Sequence, residues 1–211
     1  MVPARDATNG ASGAGIVNCP NCGNALDWTL SITLMRDCPF CESTVVLDGE
    51  ALRLAGERGA MLDAPSLLRI GEPTHLSGNN WTPVGHARFS YGPGWWDEYW
   101  CSDGAGEFRW ISVDEGDIAI EEPVDIDIGT HLRRGDRIMV RRQSFTATEE
   151  EEATCIAVRG ELPELLQIGE THRYVDFTGE HGGILTFEAW EGEHAWFAGR
   201  WISPWEVAGA H

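Results

Sequence analysis

From Leu67 onward the chain is a succession of short apolar and aromatic runs separated by Gly, Pro, Asn and Asp. Trp81 to Val84, His86 to Tyr91, Trp95 to Cys101, Glu107 to Ser112, Arg137 to Arg142, Ala153 to Val158 and Gly183 to Ala189 are runs of this kind. Their length and β-branched or aromatic content predict strands, and turn signals recur at the roughly 8–12-residue spacing of a β-sandwich or barrel. No stretch has the period of an amphipathic helix; at most Leu162 to Gln167 could form a single helical turn. The predicted fold class is all-β. It comprises an N-terminal four-cysteine zinc ribbon and a β-barrel- or sandwich-like domain with a weak internal repeat.

The repeat rests on three short likenesses. Leu67-Leu68-Arg69-Ile70-Gly71-Glu72 is echoed by Leu165-Leu166-Gln167-Ile168-Gly169-Glu170, Glu98-Tyr99-Trp100 by Glu188-Ala189-Trp190, and Arg109-Trp110-Ile111-Ser112 by Arg200-Trp201-Ile202-Ser203. Two related β subdomains packed face to face would produce it, and so would chance among short β motifs. The expected division is a disordered lead-in over 1–16, a zinc ribbon over 17–54, a linker over 55–66 and an all-β domain over 67–207. Within that domain, subunits at 67–130, 131–163 and 164–207 are possible.

The ribbon is predicted from Cys19-Pro20-Asn21-Cys22 and Cys38-Pro39-Phe40-Cys41, two matching pairs 15 residues apart. That spacing presents four thiolates from two tight turns, a tetrahedral set for one Zn²⁺. Four sulfurs leave no open coordination position, so the role expected of Cys19, Cys22, Cys38 and Cys41 is structural. Gly23 follows the first knuckle, where left-handed backbone is usual, and Glu42 holds the matching place in the second. Between and after the knuckles, strands are expected at Trp28 to Leu34, Thr44 to Leu47 and Ala51 to Leu54, with a turn at Asp48-Gly49.

The ribbon, Ile70-Gly71, Trp95-Trp96-Asp97-Glu98-Tyr99, Phe108-Arg109-Trp110-Ile111, Phe145-Thr146-Ala147-Thr148-Glu149, Gly160-Glu161-Leu162-Pro163 and Gly199-Arg200-Trp201-Ile202 follow in that order. The order resembles the uncharacterised bacterial family named domain of unknown function 4178, over about residues 17–205. Such relatives tend to be encoded beside polyamine-synthesis enzymes and membrane-stress or channel proteins. The resemblance therefore implies a polyamine-linked or membrane-associated setting, and it supplies no catalytic residues.

Charge narrows the partners. The formal net charge is −19, and every one of the 15 basic residues is Arg. Such a field repels nucleic acid and attracts cations or basic partners. Residues 131–145 are the exception, with Arg133, Arg134, Arg137, Arg141 and Arg142 against Asp136 alone. This island could meet phosphates or an acidic partner; alternatively, it could pair across a hairpin with Glu149-Glu150-Glu151-Glu152. No run approaches the roughly 18 apolar residues of a membrane span. Thiolate ligands suit a reducing compartment, so a cytoplasmic protein is expected, with peripheral membrane association only through a partner.

The aromatic run Trp95, Trp96, Asp97, Glu98, Tyr99 and Trp100 is the candidate ligand surface. On a strand it puts Trp95, Asp97 and Tyr99 on one face and Trp96, Glu98 and Trp100 on the other. Aromatic faces beside carboxylates suit a polyamine or another cation. Alternatively the rings fill a core and the acids pair with Arg88 or Arg109. Asp97, Glu98 and Glu188 could in principle supply a glycosidase-type carboxylate pair, although nothing in the sequence shows their separation. The histidines show no ligand spacing, and no nucleophile elbow, phosphate-binding loop or dinucleotide fingerprint occurs. The reading is a non-enzymatic adaptor that docks other proteins. A polyamine- or cation-binding module and an enzyme of unknown class stand as alternatives.

Overall fold

The computed structural model describes residues 15–28, 33–48, 51–54, 66–126, 128–190 and 192–209. Most of the predicted lead-in and linker, and the end of the predicted turn at Asp48-Gly49, lie outside them. Among the described residues there are strands and two three-residue 3₁₀ turns but no α-helix, as the all-β reading requires.

The N-terminal module has a two-stranded sheet, β1 (Gly15–Asn18) with β2 (Ala25–Trp28), and a three-stranded sheet of β3 (Met35–Asp37), β4 (Thr44–Asp48) and β5 (Ala51–Leu54). The predicted strand across Trp28 to Leu34 lies largely outside the described residues, at 29–32; β2 ends at Trp28 and β3 begins at Met35. Beyond it come β6 (Thr74–Leu76), β7 (Asn79–Ser90), β8 (Trp95–Ser102), β9 (Phe108–Asp114), β10 (Asp117–Val124), β11 (Arg137–Val140), β12 (Gln143–Gly160), β13 (Thr171–Gly179), β14 (Gly183–Trp190), β15 (Glu193–Ile202) and β16 (Val207–Gly209).

These form one sheet in the order β11-β12-β13-β14-β15-β10-β9-β8-β7-β6-β16, with β12 also pairing β7. The extra pairing closes eight strands, β7 to β10 and β12 to β15, into an antiparallel barrel. Each half is a four-stranded meander, and the halves join edge to edge at two seams, β7–β12 and β10–β15. The face-to-face packing expected of a repeat is therefore replaced by shared hydrogen bonding around one ring.

Both seams need glycine. A Cβ on Gly85, where β7 meets β12, would sit 2.0 Å from the Glu161 carbonyl oxygen. One on Gly199, where β15 meets β10, would sit 1.9 Å from that of Ile120. The repeated Ile-Gly-Glu segments then fasten each half in the same way. Gly71 N–H donates to Pro83 O on β7 and Gly169 N–H to Cys155 O on β12, with φ of 83° and 88°.

Alternation sorts the side chains. Ala87, Phe89, Trp100, Trp110, Ala153, Cys155, Tyr174, Ala195 and Phe197 form the inner cluster. The outer faces are apolar too. Leu68, Leu76 and Trp81 cover Tyr99, Ile111, Ile118 and Ile202, while Leu132, Ile138 and Val140 cover Val175, Phe177, Leu185, Phe187 and Trp196. The ribbon seals one end of the barrel. Met35, 1% exposed, enters the inner cluster, and Met35 and Leu162 exchange backbone hydrogen bonds of 3.1 and 2.8 Å. Arg36 pairs with Glu161 at 3.0 Å, and Asp37 accepts from Gly160 N–H at 2.9 Å. Leu162 to Gln167 lies in this floor as irregular backbone with one β-bridge, not as a helical turn.

Candidate ligand cavity and metal centre

The four predicted thiols meet. Their sulfurs lie within 4.8 Å of one another, with Cys19 Sγ 3.8 Å from Cys41 Sγ and Cys22 Sγ 3.8 Å from Cys38 Sγ. A tetrahedron with metal–sulfur bonds of about 2.3 Å has edges of about 3.8 Å, so the donor set fits a tetrahedral thiophilic ion. Both knuckles close alike, through Gly23 N–H to Cys19 O and Glu42 N–H to Cys38 O, each 2.8 Å. Glu42 adopts φ 59° where Gly23 has φ 74°, so the second knuckle tolerates a side chain in left-handed backbone. Asn24 reaches Cys22 Sγ at 3.4 Å and Asn21 reaches Cys41 Sγ at 3.5 Å, orienting donors toward thiolate charge.

The six-residue aromatic run is divided between two environments. Trp96, Glu98 and Trp100 face the barrel interior, and Trp95, Asp97 and Tyr99 face outward. Trp100 packs against Phe108 and Trp110 in the inner core. Asp97 takes Arg88 Nε at 2.7 Å and His86 Nε2 at 2.8 Å, which holds its carboxyl below the usual range despite burial. Tyr99 stacks on His86 with centroids 4.2 Å apart and shares a 2.6 Å hydrogen bond with Ser66. Trp95, 49% exposed, lies under the Arg88 guanidinium. The pairing of an acid with Arg88 thus holds for Asp97, while Trp96 and Glu98 line a cavity.

That cavity, about 130 Å³, lies inside the barrel. Glu98, Glu121, Asp176 and Glu188 enter its wall from β8, β10, β13 and β14, with Asp114 and Glu149 nearer the solvent. No Arg, Lys or His is among its lining residues. Trp96 Nε1 donates to Glu98 Oε1 at 3.0 Å. The Trp96 ring meets Tyr174 edge-on at 5.2 Å and Tyr91 in a 6.1 Å stack. Tyr174 donates in turn to Glu149 at 2.8 Å. The exposed lining residues Thr148, Glu149, Thr178 and Trp201 mark the mouth, at the end away from the ribbon.

Thr186 decides the protonation of this site. Its hydroxyl lies 3.0 Å from Glu121 Oε1 and 2.8 Å from Asp176 Oδ1. A hydroxyl carries one proton, so it donates to one carboxyl at a time, and a proton retained on the other lets that group donate to Thr186 in turn. Electrostatics agrees. Burial, then the Asp176 charge, pushes Glu121 up to about 8; burial, then Glu188, pushes Glu98 up to about 8; and burial pushes Asp176 up to about 7. Beneath them His172 Nε2 lies 4.0 Å from Glu188 Oε1, its own pKa lowered by burial.

Glu121, Asp176 and Thr186 are not singled out by the sequence. Ile118-Ala119-Ile120-Glu121 reads as an ordinary half-buried strand with its acid toward water. The signal available was the Glu98/Glu188 equivalence of the repeat, which places both acids inside on strands opposite each other in the ring.

The arginines do not pair with the Glu run across the hairpin. β11 faces residues 143–146, and Glu149 to Glu152 face β13, where Arg173 meets Glu150 at 2.8 Å. The backbone N–H of Arg133 donates to the Asp136 carboxylate and that of Arg134 to Glu150, while Arg137, Arg141 and Arg142 are exposed on the hairpin. Among the described residues no helix is long and apolar enough to cross a membrane.

The family described as "Domain of unknown function (DUF4178)" matches residues 69–204, which comprise the barrel with β6 and β11 but neither the ribbon nor β16. No curated protein and no solved structure matches the chain.

Proposed function

As a member of that family this chain carries a closed barrel around an acidic cavity, and we propose that the barrel binds a small organic cation of the short-polyamine class. The observation that carries this reading is the lining itself, six carboxyl groups and several electron-rich rings with no basic side chain. An ammonium group entering the cavity displaces the retained protons, since a positive charge favours the ionised carboxyl, and it gains further from the faces of Trp96, Tyr174 and Tyr91, at about 0.5–2 kcal/mol per ring. An eight-stranded barrel has room inside for side chains or one small ligand. The 130 Å³ volume is close to the roughly 150 Å³ of an engineered cavity that takes benzene, so a short alkyl diamine fits within it. A longer polyamine would extend through the mouth past Trp201.

The ribbon's ion in this proposal is Zn²⁺, chosen because four thiolates form a closed, redox-inert tetrahedral site. Its role is structural, holding β3 in place as the floor of the barrel. Elemental analysis of the purified protein reads the metal directly.

The cation reading is tested by melting the protein with putrescine, spermidine or Mg²⁺ at equal ionic strength. A specific ligand at about 100 times its Kd adds about 2.7 kcal/mol of stability. The two polyamines should raise the melting temperature more than Mg²⁺, and Glu98→Gln with Glu188→Gln should abolish the difference. Equal shifts for all three cations would reduce the effect to screening and end this reading.

Exposed apolar side chains favour the adaptor as a second reading. Trp205 is 94% exposed, Ile16 79% and Phe40, at the second knuckle, 62%. Native mass spectrometry of protein purified from its own host separates the two. An attached polypeptide supports docking, and a small added mass supports the cavity ligand.

A further inference from the structure

The hairpin joining β11 to β12 turns through two residues, Arg141 and Arg142, between the paired Val140 and Gln143. Both have positive φ, 49° and 71°. A two-residue turn of this type strongly favours Asn-Gly, because only small residues tolerate left-handed backbone without strain. Two arginines are a poor choice for folding at this place, and strain retained at a surface is a mark of a functional site.

The surroundings give the strain a direction. Arg141 and Arg142 are exposed and form no ion pair among the described residues. They crown the one positive segment of a chain with net charge −19. Beside Arg142 lies an open cleft of about 590 Å³ whose wall includes Arg142, His181, Arg200, Gln143 and Met139, with one acid, Glu180. His181 also has left-handed backbone, φ 57°, within its 3₁₀ turn. Gln143 Nε2 is held toward the cleft by donating to Glu180 O at 3.0 Å, and Glu206 fixes Arg200 at 3.1 Å. Met139 is 69% exposed and gives the rim an apolar contact.

We propose that the Arg141-Arg142 tip and this cleft bind a phosphoryl group. Guanidinium forks match phosphate oxygens two at a time, and the imidazole and amide add further donors. The site lies outside the barrel and does not depend on what fills the acidic cavity.

The test uses a feature that a merely structural turn would not show. Pyrophosphate is titrated calorimetrically into the full-length, metal-loaded protein at physiological salt. In parallel the protein is sedimented with phosphatidic acid or phosphatidylcholine vesicles. Saturable binding of pyrophosphate is expected, or of phosphatidic acid vesicles over phosphatidylcholine ones; the first result assigns a soluble phosphate ester and the second a lipid headgroup. The double variant Arg141→Asn/Arg142→Gly should melt about 2–4 °C higher yet bind at least about tenfold more weakly. Arg142→Lys should keep part of the affinity. Wild-type protein that binds neither probe, or a double variant that binds as wild type or melts lower, overturns the proposal.

Discussion

Glu121, Asp176 and Thr186 fix the sign of the pH dependence of stability. One hydroxyl between two carboxyls favours a retained proton, and burial pushes Glu121, Glu98 and Asp176 up to about 8, 8 and 7. In the unfolded chain these groups titrate at about 4.3 and 3.9. The folded state therefore binds protons that the unfolded chain has released, so the contribution of these three groups to stability is full at low pH. It is lost as pH rises from about 5 through the folded values of about 7 to 8. Each retained proton contributes a slope of about −1.4 kcal/mol per pH unit. For a domain of this size 1 kcal/mol corresponds to roughly 2–4 °C, so a single proton predicts a melting temperature falling by roughly 3–6 °C per pH unit. His172 works in the opposite direction, since burial lowers its pKa and favours folding as pH rises through its unfolded value of about 6.5. The measurement therefore runs from pH 6.5 to 8 by circular dichroism at constant ionic strength. Glu121→Gln, nearly isosteric and still able to accept from Thr186, should flatten the slope by about one proton and melt above wild type at pH 8. A wild-type melting temperature that is level or rises over this window would mean the cavity acids are ionised when folded, and the argument from Thr186 would be wrong.

Three further outcomes follow from named contacts. Glu42→Gly relieves left-handed backbone at the second knuckle and should stabilise the ribbon by about 1 kcal/mol with unchanged metal content; a loss of stability in guanidinium unfolding would show that the Glu42 side chain matters more than its φ. Gly199→Ala puts a Cβ 1.9 Å from Ile120 O at the β10–β15 seam and should destabilise the barrel by about 3 kcal/mol, with unaltered denaturation counting against a closed ring. Cys19→Ser should lose the metal and speed hydrogen exchange at Gly160 and Leu162, which Asp37 and Met35 hold from the ribbon side; metal retention, or protection unchanged at both amides, would break the link between ribbon and floor.

The metal centre was legible because its chemistry is local. Two Cys-Pro-x-Cys knuckles specify turn, donor type and donor count within a few residues, and the 15-residue gap is all that the sheet between them needs. Strand content was legible for the same reason, as was the split of Trp95 to Trp100 into two faces, since alternation is a property of the strand itself. Which face would be inside was not. The acid of Ile118-Ala119-Ile120-Glu121 reads as solvent-facing in any one strand, yet the barrel turns it inward. Leu68, Leu76 of β6 and Trp81 on one side, with Val124, Ile126, Ile128, Leu132, Ile138 and Val140 on the other, cover the apolar outer faces instead. Likewise Glu98, Glu121, Asp176 and Glu188 lie on four strands spread over 91 residues of chain, and only ring closure brings them to one cavity. That closure rests on the seams at Gly85 and Gly199, long-range pairings that strand propensity and period do not encode. The sequence by itself determined the elements and the thiolate site, both set by neighbours along the chain. The acidic interior was decided by tertiary structure, because it depends on which strand edges meet.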